Sequence, residues 1–173
     1  MMLESNTVNK LILLYALDKM EVPLQENLIL DMVTENNWLT YMDARVALTD
    51  LIKNNMITNM STKGCNPRYA ITSDSREGLK HYFVEIPSSI RENIAEVVKL
   101  NKIQYRKKQD YFSDYYKNAD GTYTVVLRID STSNSLMDLK LVVQNRTKAK
   151  WLFKHWSDKA SSMYEYILEN LID

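Results

Sequence analysis

The chain has 173 residues, with 22 Lys+Arg against 22 Asp+Glu, 45% hydrophobic residues and 10% aromatics, a composition that builds a core and excludes disorder as the main state. A single cysteine, Cys65, excludes an internal disulfide or a multi-thiolate metal site. The opening residues lack the basic region and cleavage site of a signal peptide, and the longest apolar run, 11–17, falls far short of the roughly 20 residues that span a bilayer, so a cytoplasmic protein with no membrane partner is expected.

Ser5, Asn6 and Thr7 offer N-caps for a first helix in which Val8, Leu11, Ile12, Tyr15 and Ala16 recur at helical spacing, ending near Met20. Pro23 suits the first turn of a short second helix with Leu24, Leu28, Ile29 and Met32 as its buried stripe. The polar turn Glu35-Asn36-Asn37 leads to a third helix, capped by Thr40 or Asp43, with Ala44, Leu48, Leu51 and Ile52 on one face and Asn54-Asn55 at its end. Residues 56–60 read as a strand, Lys63-Gly64-Cys65-Asn66-Pro67 as a tight turn and 68–71 as the returning strand. Thr72 or Ser73 then caps a fourth helix carrying Leu79, Tyr82 and Phe83, which Pro87 interrupts.

The second half opens on a long helix over about 88–109, with Ile90, Ile94, Val97, Val98 and Ile103 as an imperfect stripe. The basic run Arg106-Lys107-Lys108 complements the partial negative charge at its C-terminus. Residues 111–116 and the alternating 123–130 form a hairpin about Asn118-Ala119-Asp120-Gly121. A third strand over 136–144 alternates Met137, Leu139, Leu141 and Val143 against Asp138 and Lys140, completing an antiparallel meander. From 147 to 171, Leu152, Trp156, Ala160, Met163, Ile167 and Leu171 share one helical face that must cover something apolar, most simply the sheet.

This order predicts an α+β protein in two parts. Residues 1–86 form a winged helix-turn-helix, and 87–173 an α-β-β-β-α domain with an antiparallel three-stranded sheet. Enzyme chemistry finds no constellation. Gly64, Gly78 and Gly121 are too scattered for a phosphate-binding loop, His81 and His155 lack a second ligand at i+3 or i+4, and no serine sits in a G-x-S-x-G elbow. No catalytic residue, cofactor or metal site is expected.

The N-terminal half resembles the PadR-like winged-helix regulators. The chain as a whole more closely resembles a bacterial family of unknown function that joins such a domain to a C-terminal sheet-and-helix region. The carrying residues are Val22-Pro23-Leu24, Tyr41-Met42-Asp43, Ala47-Leu48-Thr49-Asp50-Leu51, Met56-Ile57, and Tyr69-Ala70-Ile71-Thr72 leading to Leu79 and Phe83. The match departs at Ser75-Arg76-Glu77, where related chains carry a glycine earlier than Gly78, which leaves the start of the fourth helix open.

The resemblance implies that the third helix enters the major groove of double-stranded DNA and that the wing meets the backbone or minor groove. Arg45 and Thr49 are then the expected base-edge readers, Tyr41 and Lys53 the phosphate contacts, and Val46 a partner for a thymine methyl. On the wing, Lys63, Asn66 and Arg68 are the expected phosphate contacts. For each residue alone, the alternative is an ordinary solvated face. Charge runs against the DNA reading, since residues 1–86 carry 8 Lys+Arg and 11 Asp+Glu while the remainder carries 14 and 11.

The C-terminal half admits three roles. It is a homodimerisation element through Ile94, Trp156 or Met163; or a sensor for a small-molecule effector, with Tyr111, Tyr115, Tyr116 and Tyr123 near a pocket; or simply core. The basic cluster Arg146, Lys148, Lys150 and Lys154 is either a solvated helix face or a set of auxiliary phosphate contacts. The expected function is a dimeric transcriptional regulator, and the competing one a winged-helix protein-interaction module without DNA binding.

Overall fold

Helix α1 (Ser5–Met20) buries Leu11, Ile12, Leu13 and Leu14 in succession. Four consecutive residues point around the whole circumference of a helix, so α1 is enclosed and not laid on a surface. In the computed structural model, which describes residues 4–172, α1 packs against α3 (Tyr41–Lys53), α4 (Ser73–Tyr82) and the strand β3 (Arg68–Ile71). It ends at Glu21, whose left-handed φ of 58° donates the backbone N–H to the Leu17 carbonyl at 3.3 Å, the stop that glycine usually supplies.

Leu24 does not join the second helix as expected. It lies with Gln25 in the two-residue strand β1 (Leu24–Gln25), because the 24–25 backbone pairs with β3 through Leu24↔Tyr69 and Gln25↔Arg68. Helix α2 (Glu26–Glu35) follows, then α3, then β2 (Ile57–Asn59), which pairs antiparallel with the other edge of β3 through Ile57↔Ile71. The sheet order is β1-β3-β2, with β3 in the centre. Thr72 caps α4 by accepting from Ser75 N at 3.3 Å, and its own hydroxyl donates to the Met56 carbonyl at 3.1 Å, which resolves the start of that helix.

A short 3-10 turn (Phe83–Glu85) precedes the long helix α5 (Ser88–Asp110). The chain forms two units, one extending to Tyr105 and the other beginning at Arg106. Ile86, Ile94, Val98 and Tyr105 belong to the same buried cluster as α1 to α4, so the first unit continues well past residue 86. Ile103, expected on that stripe, is exposed.

In the second unit, β4 (Tyr111–Lys117), β5 (Tyr123–Asp130) and β6 (Ser135–Val143) form an antiparallel meander. Gly121, at φ 86°, closes the first hairpin, and Asp120 Oδ1 accepts from the Thr122 N–H and hydroxyl at 3.0 and 2.6 Å. These bonds, the hydroxyl's foremost, hold the Asp120 carboxyl below its usual range. Val125, Leu127 and Ile129 point to one face of the central strand, against Ala149, Trp156 and Ala160 of helix α6 (Arg146–Leu171). Asn145 caps α6 by accepting from Lys148 N at 3.0 Å. The 26 residues of α6 measure about 39 Å, and the helix runs along β4, its Phe153 carbonyl accepting from Ser113 and its Trp156 donating to the Arg128 carbonyl, while the longest strand, of nine residues, extends only about 30 Å. The helix therefore outruns its sheet, and Met163 and Leu171, expected on the face that covers the sheet, are exposed. The composition is α+β, as expected.

Candidate nucleic-acid interface

The turn between α2 and α3 is built by backbone geometry and two anchors. Asn37 takes a left-handed φ of 56°, which asparagine tolerates better than most residues. The Val33 carbonyl then accepts from both Trp38 N and Leu39 N at 3.0 and 3.3 Å. Trp38 and Leu39 are buried, and the Trp38 indole donates to Asn93 Oδ1 at 2.7 Å, pinning the turn to α5. Helix α3 begins with a reciprocal cap: Thr40 accepts from Asp43 N at 3.2 Å while its hydroxyl donates to Asp43 Oδ2 at 2.8 Å.

Burial of Ala44, Ala47, Leu48 and Leu51 turns the rest of α3 outward. Tyr41, Met42, Arg45, Val46, Thr49 and Lys53 are all exposed, Met42 at 69%. Two of these are engaged locally. Arg45 is ion-paired with Glu26 of α2, and the Thr49 hydroxyl donates to the Arg45 carbonyl at 2.8 Å. Lys53 forms no ion pair among the described residues.

The β2–β3 hairpin tip folds on itself. Ser61 donates to the Asn66 carbonyl at 2.8 Å, Cys65 N to the Thr62 carbonyl at 3.1 Å, and Gly64 takes φ 92°, which leaves Lys63 and Asn66 exposed. Arg68 is different. It is 4% exposed and sits at the base of the hairpin, paired with Gln25 on one side, while its N–H donates to Asn59 Oδ1 at 3.2 Å on the other. Central position in the sheet removes it from the expected wing contacts.

Two of the three expected dimer contacts are also core residues. Ile94 is 0% exposed within the first unit. Trp156 is buried against the sheet of the second, its indole donating to the Arg128 carbonyl at 3.1 Å. Met163 is 40% exposed and stays available. Of the tyrosines expected around a pocket, Tyr111, Tyr115 and Tyr123 pack onto the second core while Tyr116 is exposed.

One residue escaped the sequence reading: Trp151, exposed on α6 and stacked on His155 with ring centroids 4.3 Å apart. Its signal was present in the interleaving of Arg146, Lys150 and Lys154 with Trp151 and His155 at i, i+4 spacing. Among the described residues, no group of three His, Cys, Asp or Glu is arranged to hold a metal, and no helix is long and apolar enough to cross a membrane.

No curated protein and no solved structure matches the chain. A family model described as Domain of unknown function (DUF4364) matches residues 9–171, across both units and all but the ends of the sequence. The chain belongs to that family.

Proposed function

We propose that this protein is a non-enzymatic transcriptional regulator that binds double-stranded DNA as a cytoplasmic homodimer. The observation that carries the reading is the uncovered outward face of α3, following a tight turn from α2 and followed by a hairpin in a β1-β3-β2 sheet. That order of elements is the one a winged helix-turn-helix uses. On this reading Thr49 meets a base edge, Val46 a thymine methyl, and Tyr41 and Lys53 the phosphates flanking the groove. Lys63 and Asn66, both exposed at the hairpin tip, take the DNA backbone. Arg45 reaches a base by exchanging its exposed ion pair with Glu26, which costs little because such a pair contributes about 1 kcal/mol or less. Met163, on the projecting half of α6, supplies the dimer contact.

Selection from random duplexes at about 50 and about 200 mM salt tests this directly. A two-fold-symmetric site with half-sites about 34 Å apart is expected. Lys53→Ala and Lys63→Ala should each weaken binding on all sequences and lower the salt slope by about 1, whereas Thr49→Ala should relax one position of the site at a cost of about 1–3 kcal/mol. No enrichment and no salt-dependent retention overturns the proposal. One observation favours the second reading, a protein-docking module: Tyr41, Met42 and Val46 place an exposed apolar strip on α3 in a half of the chain that is net acidic. Binding of a protein partner that Met42→Asp abolishes, with no duplex retained, would establish it.

A further inference from the structure

The first fourteen residues of α6, 146–159, carry Arg146, Lys148, Lys150, Lys154 and Lys159 against Asp158 as the only acid. The first turn holds no acid at all. Cations at a helix N-terminus oppose the partial positive charge there, so this arrangement does not serve the helix itself. The Tyr115 phenol beside Arg146 holds its guanidinium above the ordinary arginine range. Lys150 and Lys154 stand without an ion pair among the described residues. Between them lies Trp151, 54% exposed, with its indole stacked on His155. These side chains line one shallow open groove with Thr147.

The geometry points to this face as a binding surface for single-stranded nucleic acid, with a base stacked on Trp151 and the adjoining phosphates on Lys150 and Lys154. Lys150 and Lys154 are one helical turn apart, about 6 Å along the axis, which suits neighbouring phosphates of one strand. An exposed indole gives any unpaired base a π-face, and cations beside it gain from counterion release. Duplex DNA keeps its bases stacked on one another and offers the indole none. A second copy meeting this face in an isologous contact would bring cations onto cations. A lipid surface requires a broad apolar face, and beside Trp151 this groove is lined by Arg146, Thr147, Lys150, Lys154 and His155. The surface lies in the second unit and is independent of the duplex reading of α3.

Tryptophan fluorescence of the full chain tests it, because Trp38 and Trp156 are buried and Trp151 is the accessible emitter. Titration with an oligothymidylate of about 12 nucleotides should quench the emission, and two phosphate contacts make binding about 7-fold weaker between about 50 and about 200 mM salt. Trp151→Ala should abolish the quenching and weaken binding, followed by anisotropy of a labelled oligonucleotide, about 5- to 150-fold, with Trp151→Phe intermediate. The double variant Lys150→Ala, Lys154→Ala should keep the fold by circular dichroism and flatten the salt dependence. Lys53→Ala, which should impair duplex binding, should leave this quenching intact, so failure of either assignment is distinguishable from the other. Unchanged emission on titration, wild-type affinity in Trp151→Ala, or a response to phosphatidylglycerol vesicles with none to the oligonucleotide would each overturn the inference.

Discussion

The two units bury very different amounts of apolar side chain. Among the described residues, the first unit has a cluster of 26 buried residues supplied by α1 to α5, all three strands and the segments joining them, while the second has six: Val125, Leu127, Ile129, Ala149, Trp156 and Ala160. The first wraps a central helix on all sides, whereas the second is one helix on one face of a three-stranded sheet, with the other face open. The open face carries Phe112, with Arg128 stacked over its ring at 4.3 Å, and also Tyr116 and Val142. A two-layer unit of this size has little apolar burial to set against the entropy of ordering its chain. The lesson is that the same hydrophobic share of sequence yields a robust body where helices surround one another and a marginal one where a single layer is covered once.

The sharpest way to break this comparison is Trp156→Ala. It removes the largest member of the six-residue core together with its hydrogen bond to Arg128, at an expected cost of about 3–5 kcal/mol. Hydrogen exchange should then show the second unit open while α1 to α4 stay protected; loss of protection throughout the chain would mean that the units fold as one. Leu48→Ala, in the larger core, should cost about 2–5 kcal/mol and lower the denaturation midpoint of the first unit without unfolding it. Loss of α3 protection in Leu48→Ala as complete as the loss over β4 to β6 in the Trp156 variant would contradict the ranking.

Cap deletions sharpen the comparison at smaller amplitude. Thr40→Ala and Asn145→Ala each remove a side-chain bond at a helix start, costing about 1 kcal/mol apiece. The midpoint should fall further for Asn145→Ala, since unfolding entropy scales with the size of the cooperative unit. Equal shifts in calorimetry would argue for a single transition.

The smallest effect is electrostatic. Lys102 donates to Glu21 Oε2 at 2.6 Å and holds the carboxyl below its ordinary 4.5. Because the folded value is the lower one, the stabilisation is fully present above about pH 4.5 and is lost as pH falls through the depressed value. Asp120 behaves the same way in the second unit, below its ordinary 3.8. Carboxyl chemical shifts against pH, with Glu21→Gln as the control, should show a reduced acid sensitivity of the first unit alone.

Local chemistry made much of this legible in advance. Thr40 and Thr72 are short polar residues that satisfy exposed helix N–H groups, and Gly121 follows an Asn-Ala-Asp turn, so these starts and turns follow from neighbours in the chain, whereas α6 starts at Arg146 under an Asn145 cap that the spacing does not mark, and α1 starts at Ser5 with no side-chain cap. The outward residues of α3 followed from the spacing of Ala44, Leu48 and Leu51, which a 3.6-residue period fixes without reference to a partner.

What only the tertiary structure decided concerns neighbours distant in sequence. Arg68 is buried because β1 and β2 flank its strand on both sides, and a four-residue strand has too few positions to reveal its centrality. Ile94 belongs to the first core because α5 packs on Trp38 and its surroundings, and Arg45 is occupied because α2 brings Glu26 to it. The apolar stripe of α6 runs past the sheet's edge, so identical spacing buries Trp156 and exposes Met163. Periodicity along a chain states which residues share a face; only the extent of the opposing surface decides which of them lose contact with water.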